Sequence, residues 1–181
     1  MSKLRKILLS IIGCFFVISG FASSEITTSK KLVQEESYFI ESEDHGWVVL
    51  VKELNSEKFV LSFPKKPQLR KIDSNRFSFS AKEDGIEYRL LVDSELPSED
   101  LGIWMQNYLT EAVQDSSKDL IDFSVSQDLV GPFTEMIYKK NGKVIREKRF
   151  ICSGHIFTIS SEGPSEGDDA FFHSFQIFGI L

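Results

Sequence analysis

Cys152 and His155 stand three residues apart across the dipeptide Ser153-Gly154. A cysteine nucleophile needs a base within hydrogen-bond reach, and the positions flanking a two-residue hairpin loop face each other. A thiol–imidazole contact is therefore geometrically open to this pair. No third residue that would orient the imidazole is evident, and a buried cysteine otherwise packs as a small hydrophobe. The three histidines, His45, His155 and His173, are too scattered to form a zinc ligand set. Neither G-x-x-x-x-G-K-[ST] nor G-x-G-x-x-G occurs, so nothing supports nucleotide binding by those loops. Asp168-Asp169 beside Glu166 lacks the spacing of a calcium loop and reads as helix capping. The acidic cluster Glu41, Glu43 and Asp44 with His45 reads as a solvated linker before it reads as a cation site. The expectation is a chain with no cofactor, no metal and no catalytic residues, with a hydrolase of unrecognised site as the rival.

Two other sets of residues suit binding better than catalysis. Arg146, Lys148 and Arg149, with Glu147 among them, form a charged band in one predicted strand. Such a band is either a solvated sheet face or a groove for an acidic partner. Trp104, Met105 and Tyr108 belong to an apolar stripe with Leu101, Leu109, Ala112 and Val113 at helical spacing. That stripe is either core or the lining of a ligand pocket.

The elements that must position these residues are mostly strands. Asn141-Gly142 and Ser153-Gly154 each separate runs of β-forming residues, as a two-residue hairpin loop requires. They predict a three-stranded meander over Phe133 to Ser161. Asp84-Gly85 predicts a second hairpin, joining Phe77–Ala81 to Ile86–Val92. Trp47–Val51 and Phe59–Phe63 read as earlier strands, the latter ended by Pro64 and Pro67, with Lys65-Lys66 between them as edge protection. Ile121, Phe123, Val125, Gln127 and Leu129 alternate with polar residues and predict a strand with one wet face. Ser98 is the expected cap of the one long helix, with acids in its first turn. Asp168 is the expected cap of a short helix through Ala170, Phe171 and Phe172, and Phe175–Phe178 closes the chain as a strand.

The first residues are organised differently. Met1 to Ser24 has a basic start, an apolar run and small residues at the end, the pattern of a secretory signal peptide. The cut falls after Ala22 or after Ser24. Ile11-Ile12-Gly13-Cys14 also resembles a lipobox, which would anchor the chain through Cys14, and a retained leader is the third alternative. Residues 25–46 read as a polar tether and 47–181 as a single domain. With 21 basic and 27 acidic residues the net charge is −6. Removing residues 1–22 takes away three cations and no acid, leaving 18 against 27, or −9. An acidic body argues against nucleic acid and anionic membrane as partners. The cleaved chain would keep Cys152 as its lone cysteine, so the fold must hold without an internal disulfide. Sixteen phenylalanines indicate a core of aromatic layers.

The combination Phe59-x-x-x-Phe63-Pro64-x-x-Pro67, the strand at Tyr88, one amphipathic helix, and Phe171-x-x-Ser174-Phe175-Gln176-Ile177 resembles a group of uncharacterised exported bacterial domains. Several of these are similar in layout to the PsbP-like α/β sandwich. The chain departs from their commoner arginine at Gln176. The resemblance covers Phe59 to Phe178 and implies a fold and an envelope location, but no catalytic residues. The expected fold class is α+β, an antiparallel sheet of about seven to nine strands covered by one long and one short helix. The expected function is a non-enzymatic domain, exported by the general secretory route to the periplasm or the extracellular space, that binds a protein or envelope component. A small apolar-ligand carrier is the alternative.

Overall fold

Alternating burial along the strands sorts the chain into two antiparallel sheets that share one phenylalanine-rich interior. The computed structural model describes residues 37–41, 46–54, 57–98, 100–127, 130–167 and 169–179. The smaller sheet has four strands: β1 (Ser37–Glu41), β2 (Val48–Leu54), β3 (Glu57–Phe63) and, returning from the far end of the chain, β11 (Gln176–Gly179), in that order. The larger has seven, ordered β4 (Gln68–Lys71), β5 (Arg76–Glu83), β6 (Ile86–Asp93), β10 (His155–Gly163), β9 (Lys143–Cys152), β8 (Pro132–Lys140) and β7 (Asp119–Gln127). Two short helices complete the described residues: α1 (Leu101–Gln114) and α2 (Asp169–His173).

This corrects the expected α+β sandwich of one sheet covered by a long and a short helix. The protein is mostly β, and its second layer is another sheet. A helix of 14 residues and one of 5 are too small to cover seven strands. The inner faces meet through Leu50, Leu61 and Phe63 on one side and Phe79, Leu90, Phe157 and Ile159 on the other, with Phe171 and Phe172 of α2 closing the layer. A second, smaller core lies behind the larger sheet, where Leu109 and Ala112 of α1 cover Met136 and Tyr138.

Three hairpins turn as expected. Asp84-Gly85, Asn141-Gly142 and Ser153-Gly154 all hold positive φ at both residues, the signature of type I′. The meander β8–β9–β10 is continuous, with Lys140 opposite Lys143 and Cys152 opposite His155. Other details differ. Asp100, not Ser98, caps α1: its Oδ1 accepts hydrogen bonds from the Gly102 and Ile103 amides at 2.8 and 3.4 Å. In β7 the register slips between Leu120 and Asp122, so Leu120 packs on the second core while Ile121 is exposed. The exposed edge strand β4 carries no alternation that would announce it. β1 lies inside the stretch expected to be a tether, so the smaller sheet begins before Trp47. The leader with Cys14, the acidic cluster at Glu43, Asp44 and His45, and the Asp168 cap lie outside the described residues.

Candidate functional site

Strand β9 decides the geometry of the charged residues. Successive side chains of a strand point to opposite faces. Arg146, Lys148 and Phe150 therefore share the inner face of the larger sheet, and Glu147 and Arg149 share the outer one. The contacts agree: Arg146 meets α2, and Arg149 meets α1. The structure thus brings Arg146 and Lys148 together and separates Arg149 from them; the three do not form one band.

On the outer face, Trp104 and Tyr108 stack with ring centroids 6.0 Å apart and cover the Arg149 guanidinium, which lies 4.0 Å from the Tyr108 ring. Tyr108 donates its hydroxyl hydrogen to Glu147, whose carboxylate also meets Arg149 at 3.2 Å. Burial, reinforced by the Glu147 charge, pushes the Tyr108 phenol well above its ordinary range. Met105 is buried beneath. Here the helix closes onto the sheet, and these three side chains line neither of the clefts on the inner face.

A polar hollow of about 100 Å³ lies on the outer face beside Tyr138 and Glu147, and larger ones open on the inner face. The seven-stranded sheet is wider than the four-stranded one, and beyond β11 the inner side of β9, β8 and β7 is left partly bare. Two hollows lie along this overhang. One, of about 230 Å³, is polar and runs past Asp122, Ser124, Glu135 and Arg146. Arg146 is closed there by Glu135, 2.6 Å from its Nε, and by Asp169, while its guanidinium lies over the Phe172 ring at 4.4 Å. The guanidinium in turn holds the Asp169 carboxyl below the usual carboxylate range.

The other hollow, of about 380 Å³, opens between Lys148 on β9, α2 and β11. Phe172 and Phe175, both buried core residues, form its back; Ile177 and Phe178 form its rim, with Phe178 49% exposed. Val130, just before β8, closes the far side. The Lys148 ammonium is held 3.9 Å from the Phe133 ring centroid and 5.9 Å from that of Phe150, so a cation stands at the edge of the aromatic core. His173 and Gln176 supply the remaining polar groups. Of these residues only Lys148 was named as a candidate site residue by sequence reasoning. The usable signal was parity: Lys148 shares its face with Phe150, which marks an inward lysine.

Cys152 and His155 are paired in register, but their polar atoms are engaged locally. The thiol lies 3.3 Å from the Ser153 hydroxyl, and the imidazole Nδ1 is 2.9 Å from the Ser153 carbonyl oxygen. Burial pushes the Cys152 thiol up, away from the thiolate that nucleophilic attack requires. Among the described residues no group of three or more His, Cys, Asp or Glu is placed to hold a metal ion. No helix among them is long and apolar enough to cross a membrane. Compared with known proteins, the chain matches no family model, and no curated protein matches it in sequence.

Proposed function

We propose that this chain is an exported, non-enzymatic binding domain that carries a small apolar ligand in the hollow between Lys148 and Phe178. The observation that carries the reading is the continuity of this hollow with the core. Its back wall is Phe172 and Phe175, so a ligand entering it extends the buried aromatic layer. Its volume of about 380 Å³ falls in the range of small-molecule sites, which are apolar with a few fixed polar groups. Export rests on the leader pattern alone.

The test is calorimetric titration of the folded protein with decanol, a neutral apolar probe. One saturable site is expected, weakened about tenfold when Phe178→Ser removes the rim. Absence of saturable binding by decanol and by other ten-carbon probes would refute the carrier reading.

A second reading, a protein or envelope partner, is favoured by one observation: Asp122, Ser124 and Ser126 leave the inner face of β7 exposed. Photo-crosslinking from position 124 in intact cells should then give one reproducible adduct, and a smear or nothing would count against it.

A further inference from the structure

The seven-stranded sheet ends at β4, and this edge has the backbone, the apolar surface and the charge to take one more strand. Independently of any ligand in the hollow, we propose that β4 is a docking edge for an acidic, extended segment of another protein, which adds to the sheet beside Leu69 and Lys71.

The backbone comes first. Within its sheet β4 pairs only with β5, Gln68 opposite Ser80 and Lys71 opposite Phe77. The Ile72 amide donates to the Arg76 carbonyl oxygen at 3.0 Å, which sets the phase of the ladder. Bonded and non-bonded pairs alternate in an antiparallel ladder. Gln68 and Arg70 therefore bond to β5, while the N–H and C=O groups of Leu69 and Lys71 point out of the sheet edge. Such a row is a template for strand addition.

The apolar surface comes second. Leu69 lies opposite Phe79 on the core-facing side of the sheet, yet it is 56% exposed, and Ile72 just beyond the strand is 46% exposed. An edge guarded only against pairing would not carry two large apolar side chains. A strand laid beside β4 would cover Leu69 and continue the inner layer.

Charge names the partner. Residues 58–72 contain five cations and no acid, in a chain with 27 acids and a net charge of −6. Lys58 is held by Glu53, and Lys66 stands over the Phe39 ring at 5.2 Å. Arg70 and Lys71 are exposed on β4 itself, and neither is held in an ion pair among the described residues. The one acid in the turn to β5, Asp73, is committed to Arg76 at 2.6 Å. These cations repel a second copy of β4 and admit a strand of the opposite sign. Leu69 and Arg70 face opposite sides of the sheet, so the matching strand alternates apolar and acidic residues.

The deciding experiment adds three labelled eight-residue peptides to the full chain: alternating Glu-Val, alternating Lys-Val and alternating Glu-Pro. Fluorescence anisotropy reads binding, and amide hydrogen exchange followed by NMR locates it. The Glu-Val peptide should bind saturably. The Glu-Pro peptide keeps the charge but loses half the strand donors, so it should bind about tenfold more weakly, and the Lys-Val peptide should bind least. In the free protein the Leu69 and Lys71 amides should exchange fast, and saturation with the Glu-Val peptide should protect both. Leu69→Pro deletes an outward N–H and no bond to β5, so it should bind the Glu-Val peptide about fivefold more weakly than Leu69→Ala, which keeps the donor. The Arg70→Glu/Lys71→Glu variant should not bind it. Equal affinity for the Glu-Val and Glu-Pro peptides, or Leu69 and Lys71 amides already protected in the free protein, would overturn strand addition at β4. Absence of saturable Glu-Val binding would overturn the docking edge altogether. Sedimentation of the parent with phosphatidylglycerol vesicles, abolished by Arg70→Glu/Lys71→Glu, would make the edge a membrane contact and overturn the peptide assignment.

Discussion

Tyr108 on α1 gives its hydroxyl hydrogen to Glu147 on β9, and this bond spans the layer between the helix and the seven-stranded sheet. Leu109 and Ala112 bury the helix against Met136 and Tyr138, but apolar contacts are non-directional. The phenol–carboxylate bond fixes where along the sheet the helix lies. Arg149 completes the arrangement, reaching Glu147 with one terminal nitrogen while its Nε is buried without a hydrogen-bond partner.

Tyr108→Phe should therefore destabilise the fold by about 1.5–3 kcal/mol, the range for a hydrogen bond to a charged group. Urea denaturation would measure it. Far-ultraviolet circular dichroism should show the helix retained, since phenylalanine keeps the ring in the stripe and the Asp100 cap is untouched. A variant as stable as the parent would mean that the bond contributes nothing beyond its exchange with water.

Local features of this chain were legible because they are enforced locally. The three type I′ turns follow from residues that tolerate positive φ, and the α1 stripe follows from helical spacing. What sequence did not disclose is pairing between distant segments. β3 and β11 join residues 57–60 to 176–179, and nothing in Phe175–Phe178 says which sheet it will complete. The two-sheet partition was invisible for that reason. Ile121 shows a different limit: alternation named it as inward, and a bulge at Leu120/Asp122 shifted the phase. For the site, the basic residues of β9 were read as one band because charge was weighed and parity was not. Lys148 was named as surface, and Phe172, Phe175 and Phe178 were read only as parts of a short helix and a closing strand.

The aromatic layer should be the most sensitive part of the molecule. Phe157 is 2% exposed, and its ring lies 5.6 Å from Phe59, 5.7 Å from Phe150 and 5.3 Å from Phe175. It thus ties β10 to both β3 and the segment that enters β11. Phe157→Ala should cost about 3–5 kcal/mol, a large share of the stability of a single domain. Phe178→Ser, at the exposed rim, should change stability by no more than about 0.5 kcal/mol. The pair of denaturation midpoints checks both, and similar losses at the two positions would contradict the burial described here.

Alkaline pH should unfold the protein through its tyrosines. Tyr138 is pushed up to about 12, by burial first and then by Glu147, and Tyr108 is raised for the same reasons. In the unfolded chain both ionise near their ordinary value of about 10. Between about pH 10 and pH 12 the unfolded state releases protons that the native state keeps, so stability falls as pH rises. Below that window both states hold the proton and this dependence vanishes. The phenolate absorbance lost in a Tyr108→Phe/Tyr138→Phe double variant of this four-tyrosine chain should, in the parent, rise together with loss of structure; that difference appearing near pH 10 in the intact fold would contradict the burial of these two side chains.

The approach to α2 depends on Gly167. Its φ is +83°, a conformation L side chains rarely adopt, and a Cβ there would lie 2.5 Å from the Ser161 Oγ and 2.7 Å from its Cβ. Ser161 cannot yield easily: it is fully buried on β10, and its hydroxyl donates to the Glu166 carbonyl oxygen at 2.6 Å. Gly167→Ala therefore adds backbone strain to a steric clash and should cost about 2–4 kcal/mol. Because this turn delivers Asp169 to Arg146 and Phe172 to the back of the hollow, the same change should also weaken the decanol binding that the proposed carrier function expects there. Ser161→Ala alone removes the hydrogen bond and none of the backbone constraint, so it should cost about 1–2 kcal/mol. The double variant should recover part of the Gly167→Ala loss by relieving the contact with the Ser161 Oγ. A double variant with strictly additive losses would show that backbone strain, not that contact, sets the penalty.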